Sequence, residues 1–205
     1  MNKIFVIFYK IIIRVFLTVL SFYSTIYTWI KLKGNGVKFS SLSSNGVPMV
    51  DIERGGLMTI GQNFRMNNGK HYNQIGRQQP CMFIVSKVGV LSIGDNVSIS
   101  ATTFVCTAAI TVGNNVKMGG NCVVYDTDFH SLNYLDRREP ILDKGNRKLL
   151  PVFIEDDVFI GAHSTILKGV TIGEGSIIGA GSLVSKSVPP KEIWGGNPAS
   201  FIKSL

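Results

Sequence analysis

The sequence predicts an all-β solenoid, in which the chain winds as a triangular coil. Every sixth residue near the C-terminus is branched and apolar: Ile154, Ile160, Ile166, Ile172, Ile178 and Val184. A helix repeats every three or four residues and an ordinary strand every two, so a period of six fits neither. Glycine, alanine and serine recur beside these residues, which lets the chain bend at corners and lets neighbouring coils stack closely. Each group of six residues therefore forms one flat side, with its branched residue pointing inward.

The same period continues upstream. The positions are Ile93, Ile99 and Val105 in one run, Val112, Met118 and Val124 in a second run displaced by one residue, and Ile60 and Met66 as a weaker trace. Three such runs make a chance pattern a poor explanation. We expect all of these side chains to point into the coil.

Composition limits the rest of the interpretation. A chain of 205 residues predicts one domain plus an appendage, and 45% apolar residues suffice for the narrow core of a solenoid. Cys81, Cys106 and Cys122 form no CxxC and no pairable framework, which indicates a reducing compartment. A catalytic cysteine is the alternative, but burial as a small apolar residue is the commoner role.

The net charge of +8 is concentrated in one segment. Residues 1–38 contain six lysines or arginines and no acidic residue, which leaves +2 for the remainder. Nucleic-acid binding would need basic residues spread over a face with interleaved aromatic residues, and the globular part lacks that pattern. We therefore expect no nucleic-acid partner.

Residues 2–33 predict an amphipathic helix. At 100° per residue, Lys3, Lys10, Arg14, Ser21 and Thr28 fall on one stripe of an otherwise apolar surface. Such a helix lies in a membrane interface, with its cations near anionic headgroups. The longest uncharged stretch is shorter than a spanning helix needs, and no signal-peptide cleavage site follows. Packing on the body or on partner subunits, and a true membrane span, remain the alternatives.

The chain divides into three parts by pattern. Residues 1–45 hold the membrane-associating helix, which ends at the glycines of residues 33–36, and a linker. Residues 46–188 form the β-helix. Its period breaks at 125–151, and because an insertion cannot enter the stack, this segment projects as a loop. Residues 189–205 begin with two prolines and should fold over the last coil as a C-terminal cap.

These features resemble a known family. The repeat, the ending from Gly179 to Pro190 and the motif Gly196-Asn197-Pro198-Ala199 are similar to the hexapeptide-repeat acyltransferases, in particular the galactoside, maltose and polysaccharide O-acetyltransferase branch. The resemblance is strong over residues 90–203 and weak over 46–89. It implies a left-handed parallel β-helix that assembles as a homotrimer and takes acetyl-CoA as co-substrate, with active sites between subunits.

His130 is the candidate catalytic residue. It lies where the repeat gives way to the loop, and the resemblance implies that a histidine at this point acts as general base. The chemistry agrees, because histidine titrates near neutral pH and can take the proton of a sugar hydroxyl as it attacks the thioester. Asp126 or Asp128 could hold the other ring nitrogen, although either could equally serve as a turn residue.

The resemblance also implies the coenzyme A contacts. Matching positions are Ala162, Ala180, Ser185 and Lys186, with Lys203 as a basic candidate for the nucleotide phosphates. Two positions depart from the family pattern, Phe159 and Ser200.

The remaining histidines predict no metal site. His71, His130 and His163 are at least 33 residues apart, whereas zinc sites usually include ligands close in sequence. His71 is expected in a surface loop and His163 at a structural or interfacial corner.

The predicted function is acetyl transfer from acetyl-CoA to a saccharide hydroxyl. The helix favours a cell-surface polysaccharide or its lipid-linked precursor as acceptor, at the cytoplasmic face of the inner membrane. An N-acetyltransferase acting on an aminosugar and a non-catalytic membrane-bound β-helix scaffold are the alternatives.

Overall fold

The computed structural model describes residues 3–73, 75–76 and 78–205; Met1 and Asn2, where the predicted N-terminal segment begins, lie outside the described residues. Helix α1 covers Lys3–Gly34, helix α2 covers Pro140–Asn146, and a 3₁₀ turn covers Asp136–Arg138. The rest of the described structure is built from short strands, numbered β1 to β20 along the chain.

The strands form three sheets whose members recur every third strand. Sheet A contains β1 (Lys38–Phe39), β4 (Leu57–Ile60), β7 (Val90–Ile93), β10 (Ala109–Val112), β13 (Val152–Ile154) and β16 (Thr171–Ile172). Sheet B contains β2 (Leu42–Asn45), β5 (Phe64–Asn67), β8 (Ser98–Ser100), β11 (Lys117–Met118), β14 (Phe159–Ile160), β17 (Ile177–Ile178), β19 (Glu192–Gly196) and β20 (Ala199–Ser204). Sheet C contains β3 (Met49–Ile52), β6 (Met82–Val85), β9 (Thr103–Cys106), β12 (Val123–Tyr125), β15 (Thr165–Ile166) and β18 (Leu183–Val184).

All pairs from β1 to β18 are parallel, so each turn of the chain adds one strand to each sheet. This is the architecture of a parallel β-helix, and with the six-residue repeat it fits the left-handed class. The two helices lie outside the coils, so all-β describes the solenoid rather than the whole chain.

The period of six corresponds to columns of buried side chains. The six residues of the C-terminal run are all buried, and each stacks on its equivalent in the next coil of sheets A, B and C. In sheet C the column runs through Phe104, Val124, Ile166 and Val184. These stacked apolar residues form one continuous core, and their burial is the main stabilising term of the solenoid.

The prediction for Val105 is wrong. Val105 pairs with Tyr125 on the outside of sheet C, and Phe104 is the fully buried residue that pairs with Val124. The turn after Ile99 is one residue shorter than the repeat requires, since the next inward residue is Phe104, and Ala101 is the left-handed residue of this turn with φ of 45°. The corner after β9 is longer than the repeat, so the coil that leads from Ile93 to its partner Val112 gains one residue overall. This gain displaces the second upstream run from the first.

The solenoid begins earlier than the apolar repeat indicates, because β1 and β2 already form its first coil. The inward position of β2 is Ser44, which is fully buried. Its backbone and side chain are hydrogen-bonded to Ser24, Thr25 and Asn68. A polar inward residue leaves no repeat signal in the sequence.

The C-terminal half of α1 packs on this first coil through its hydroxyl residues. Ser24 Oγ donates to the Ser44 carbonyl at 2.8 Å, and Ser21 Oγ donates to Asn45 Oδ1 at 2.6 Å. Leu32 is fully buried and joins the core. The stripe predicted for residues 2–33 is therefore divided: its hydroxyl half contacts the body, and its basic half, Lys10 and Arg14, lies exposed beyond the contact.

The other face of α1 is apolar and uncovered along its length. Seventeen large apolar side chains between Ile4 and Ile30 are exposed, including Phe8, Phe16 and Trp29. By length and composition α1 could cross a membrane, a property it shares with core helices and N-terminal signal sequences.

The chain ends in a hairpin that extends sheet B. β19 pairs parallel with β17, and β20 then pairs antiparallel with β19. Trp194 packs against the core, and its indole N–H donates to Glu192 at 2.7 Å.

Candidate active site

His130 lies five residues beyond β12, at the base of the 126–151 segment, which connects sheet C to sheet A. Phe129 takes a left-handed conformation with φ of 65°, and its N–H is held by the Thr127 hydroxyl at 3.1 Å. The His130 N–H donates to the Asp128 carbonyl at 2.7 Å. This turn directs the imidazole outward, where 68% of the side chain is exposed.

The imidazole of His130 is held by Asp143, a residue of α2. His130 Nδ1 lies 2.6 Å from Asp143 Oδ2, and Asp143 Oδ1 accepts the Ser131 N–H at 2.7 Å. Because a carboxylate only accepts hydrogen bonds, Nδ1 carries the proton of this contact. In the neutral ring Nε2 is then the atom with the free lone pair, and it is the atom that could remove a proton.

Asp143 is ionised at neutral pH. The hydrogen bond from His130, followed by the Ser131 N–H, lowers the pKa of the Asp143 carboxyl below its usual value. Both favour the charged form of the carboxylate. The His130–Asp143 pair therefore persists from neutral to mildly acidic pH.

A polar network fixes the loop that carries Asp143. Asp136 accepts hydrogen bonds from the Ser131 hydroxyl at 2.8 Å and from the Asn146 amide at 2.9 Å. Arg137 donates to the Ser131 carbonyl at 2.7 Å. These bonds join the segment before the 3₁₀ turn to the end of α2, and thereby hold Asp143 against His130.

The two aspartates predicted as partners of His130 have other roles. Asp126 is fully buried and accepts the N–H groups of Thr107 and Ala108 at 2.7–2.9 Å, so it holds the corner of the preceding coil. Burial raises the pKa of Asp126 against the effect of these bonds. Asp128 forms an ion pair with Lys168. Neither carboxylate is free to orient the imidazole, and that prediction is corrected to Asp143.

Asp143 carried no signal in the sequence, since it lies in a charged segment without period. An acidic residue shortly after Pro140, at the start of a possible helix, was the only local cue.

The five predicted coenzyme A residues lie at separate places on the surface. Ala162 and Ala180 occupy the corner between sheets B and C in consecutive coils. A Cβ on Gly161 would lie 2.5 Å from the Ala180 nitrogen, which shows how closely the coils approach there. Ser185 and Lys186 follow β18 at the opposite corner, between sheets C and A, and are exposed. Lys203 is exposed on β20, opposite Ile193.

His130 shares its corner with Ser185 and Lys186. The strands β12, β15 and β18 are neighbours in sheet C, so the turns that follow them are stacked in the same order. Lys168, in the middle turn, reaches Asp128 in the first. The corner between sheets C and A therefore carries the imidazole and two of the predicted coenzyme contacts within three coils.

The remaining polar candidates are structural in this geometry. His163 sits at a corner with φ of 64°, and its Nδ1 lies 3.2 Å from Asn121 Nδ2; His71 is exposed. Within residues 3–73, 75–76 and 78–205 no three His, Cys, Asp or Glu side chains form a group that could hold a metal ion.

The three cysteines are buried and free, and burial raises their pKa to about 12 for Cys81 and Cys106 and about 11 for Cys122. They are therefore protonated thiols rather than nucleophiles.

Comparison with known proteins points to one family. Residues 151–186 match the bacterial transferase hexapeptide (six repeats). Galactoside O-acetyltransferase from Escherichia coli is 35% identical over 103 residues, 50% of this chain and 48% of that protein. The aligned region spans about half the length of the sequence relatives that the chain matches.

Two solved structures share the fold. A hexapeptide-repeat-containing acetyltransferase from Vibrio cholerae is 37% identical, with a TM-score of 0.52 over 61% of this chain and 66% of that chain. A point mutant of AntD, an N-acyltransferase from Bacillus cereus in complex with dTDP-4-amino-4,6-dideoxyglucose and coenzyme A, is 25% identical, with a TM-score of 0.66 over 87% of this chain and 89% of that chain. The repeat and the coiled architecture of the present chain, together with these relatives, support the hexapeptide-repeat acyltransferase family.

Proposed function

We propose that the protein is an acetyltransferase that moves an acetyl group from acetyl-CoA to a saccharide hydroxyl, with His130 as general base. The observation that carries this proposal is the imidazole at the base of the loop, with Nδ1 held by Asp143 and Nε2 open to solvent. A base fixed by a carboxylate and exposed to an incoming hydroxyl is what acyl transfer requires.

The reaction would proceed in one active site without a covalent enzyme intermediate. Nε2 of His130 takes the hydroxyl proton while the oxygen attacks the thioester carbonyl carbon. The tetrahedral intermediate then expels the coenzyme A thiolate, which takes the proton from the imidazolium. The charge that develops on Nδ1–H is stabilised by the Asp143 carboxylate at 2.6 Å.

Coenzyme A would lie along the coils that follow the loop. Ser185 and Lys186 stand on the same corner as His130, and the galactoside O-acetyltransferase and AntD relatives support an acyl-CoA donor. The exposed ammonium groups of Lys186 and Lys203 suit nucleotide phosphates as point charges. Ala162 and Ala180 lie at the other edge of sheet C from Ser185 and Lys186. The five predicted coenzyme A residues therefore do not line one groove within a single chain.

An interface between subunits would bring these corners together, and we include a homotrimer in the proposal. Large apolar side chains are exposed on the loop and on the outer face of sheet A: Leu132, Tyr134, Leu135, Ile141 and Leu142, and Leu57, Val90 and Phe153. Exposed apolar surface of this extent is typical of protein contacts. Light scattering after size-exclusion chromatography should give three times the chain mass; a monomer would contradict the trimer.

The second candidate is N-acylation of an aminosugar. The favouring observation is that AntD, whose structure contains an aminosugar nucleotide and coenzyme A, aligns with 87% of this chain. A base such as His130 could equally take a proton from an ammonium group, so the residue itself does not separate the two acceptors.

An acceptor panel with coenzyme A release as the readout tests both candidates. Galactosides, maltose, a polysaccharide repeat unit, its lipid-linked form and an aminosugar nucleotide would be compared with acetyl-CoA in excess. We expect release with hydroxyl acceptors and a loss of about 10²–10⁴-fold in His130→Ala. Release with the aminosugar alone would favour N-acylation. Unchanged release in His130→Ala would contradict the assigned base, and no release with any acceptor would favour a scaffold.

The proposed location is the cytoplasmic face of the membrane, with α1 as the contact. Its uncovered face carries the aromatic side chains Tyr23, Tyr27 and Trp29, which suit the interfacial zone. Flotation with phosphatidylglycerol vesicles measures this association. Loss of flotation is expected when residues 2–20 are deleted and Tyr23, Tyr27 and Trp29 are replaced by serine, and flotation of that variant would contradict it.

A further inference from the structure

The basic half of α1 is exposed, and it lines an open groove to which the body contributes Asn45 and Tyr72. This α1 groove has a volume of about 750 Å³ and lies between Lys10, Arg14, Leu17 and Ser21 of the helix and Asn45 and Tyr72 of the body. The Tyr72 hydroxyl donates to the Leu17 carbonyl at 3.2 Å, and the Ser21 hydroxyl donates to Asn45 at 2.6 Å. These two bonds close the inner end of the groove.

The lining combines two kinds of chemistry. Lys10 and Arg14 are one helical turn apart and supply two positive charges, and the chain contains no acidic residue before Asp51. The remainder of the lining is largely apolar, from residues such as Ile7, Ile11 and Leu17. A ligand that satisfies both parts carries a phosphate next to a hydrocarbon chain.

A second groove adjoins the α1 groove at Asn45. Asn45 also lines a groove of about 280 Å³ on the outer face of sheet B, with Arg65, Asn67, Ser98, Ser100 and Lys117. Its polar side chains are ordered across the coils, because Asn45 donates to Asn67 at 2.9 Å and Asn67 donates to Ser100 at 3.1 Å. Rows of amides and hydroxyls are suited to hydrogen-bonding a saccharide.

We infer that the α1 groove binds the phosphate of a lipid-linked saccharide, with Lys10 and Arg14 on the phosphate and the adjoining sheet B groove taking the sugar next to it. This inference rests on the proposed function and on the proposed homotrimer, because it names the class of acceptor that the acetyltransferase would use, and because sheet B lies opposite the corner of its own chain that carries His130. The uncovered face of α1 keeps the groove at the level of lipid headgroups, where a membrane-anchored phosphate lies.

The experiment separates phosphate recognition from general attraction to a membrane. The full chain is kept in a neutral polyoxyethylene detergent without acetyl-CoA, and binding is titrated with farnesyl phosphate, farnesol, inorganic phosphate and dihexanoyl-phosphatidylglycerol. Farnesol tests the hydrocarbon alone, inorganic phosphate tests the charge alone, and the phosphatidylglycerol tests an ordinary anionic headgroup.

Two matched variants remove equal charge. Lys10→Gln with Arg14→Gln removes both cations of the groove, and Lys3→Gln with Lys38→Gln removes two cations outside it. All four side chains are exposed, and circular dichroism confirms that both variants fold. We expect saturable farnesyl phosphate binding at least tenfold tighter than that of the other three probes. The groove variant should weaken it about 10- to 30-fold, and the control variant should not.

Three results would overturn the inference: no saturable binding of farnesyl phosphate, equal binding of phosphatidylglycerol, or an equal loss in both variants. The last two would indicate general attraction to anionic lipid. Since binding is measured without the co-substrate, a failure here leaves the His130-dependent release of coenzyme A untouched, and a failure of that reaction leaves this measurement untouched.

Discussion

Substitution of Asp143 by asparagine tests the proposed site most directly. The change preserves the shape of the side chain and an acceptor for the Ser131 N–H, but removes the charge that faces His130 Nδ1 at 2.6 Å. A neutral amide stabilises the imidazolium less, and it can also present its NH₂ group to Nδ1, which selects the wrong tautomer. We expect a fall in kcat with little change in KM, because Asp143 acts through His130 rather than on the acceptor.

The structure limits the size of this effect. In a buried catalytic triad, replacing the aspartate by asparagine lowers kcat about 10⁴-fold. Here the imidazole is 68% exposed, so water screens the pair and can stabilise the imidazolium in part. We therefore expect a loss of about 10- to 100-fold for Asp143→Asn, against about 10²–10⁴-fold for His130→Ala.

A double-mutant cycle gives the decisive measurement. If Asp143 acts only by holding the imidazole, Asp143→Asn costs nothing further once His130 is alanine. Glu139→Gln is the matched control, because Glu139 is an exposed acid of the same loop whose side chain forms no cap hydrogen bond. Its kcat should equal that of the wild type.

The pH profile adds an independent check. Because the pKa of Asp143 is lowered by His130 and Ser131, its carboxylate stays charged in the folded protein across about pH 5 to 9. The deficit of Asp143→Asn should therefore persist throughout this range. Wild-type kcat in Asp143→Asn, or fully additive losses in the double mutant, would refute the role assigned to Asp143.

Four further variants test the fold. Ile166→Ala opens a cavity between Val124 and Val184 and should lower the free energy of unfolding by about 2–5 kcal/mol in a urea titration. Ser24→Ala removes the acceptor of the Gly46 N–H and one of the two hydroxyl donors to the Ser44 carbonyl, and it should cost about 1–3 kcal/mol in the same titration. Thr28→Val removes a buried hydroxyl that has no hydrogen-bond partner and should be neutral or stabilising, so a clear loss would contradict the packing of α1 on the body. The Asn114 N–H lowers the pKa of Asp156. The stability that this carboxylate contributes to the folded protein is therefore complete above about pH 4 and is lost as the pH falls through the lowered pKa. Asp156→Asn should make the melting temperature decline less steeply over that pH range.

The period of six predicted the columns of the core because every coil must bury one side chain per face. The period gave a wrong residue, or no signal, where a coil has a different length or a polar inward residue. The period of six predicts an inward Val105, whereas the turn between Ile99 and Phe104 is one residue shorter than the repeat. Ser44 was missed because the first coil faces a helix whose contact is made by hydroxyl groups, so an apolar residue is not required there.

The site was predictable only as far as the repeat reached. His130 could be located because it follows the last regular strand before the break in period. Its partner could not, because Asp143 is brought to it by α2 and a polar network inside the insertion. Asp126 and Asp128 were closer in sequence, but the first continues the inward face of β12 and the second pairs with a lysine of the next coil.

The stripe on α1 shows why one pattern can have two uses. Lys10, Arg14, Ser21 and Thr28 share a helix face, and their spacing alone indicates a single environment. The body covers only the C-terminal half of that face, where hydroxyl groups bond to backbone that has no neighbouring coil. The cations lie where the contact ends, at the mouth of the α1 groove. The stripe is divided at the point where the body stops covering α1, and the spacing of residues along the helix does not encode how far that contact extends.

The insertion explains how a rigid stack of coils can carry the proposed base, His130. Within the solenoid the corners are packed by the coils on either side. A Cβ on Gly161, for example, would lie 2.5 Å from the Ala180 nitrogen, so there is little room there for a segment that carries both an imidazole and its acid. At the corner between sheets C and A the chain leaves the stack for 26 residues before β13 resumes it. The turn after β15 still contacts the departing chain through Lys168 and Asp128, which anchors the first residues of the loop. The base is thus held at one end by the solenoid and oriented at the other by the insertion.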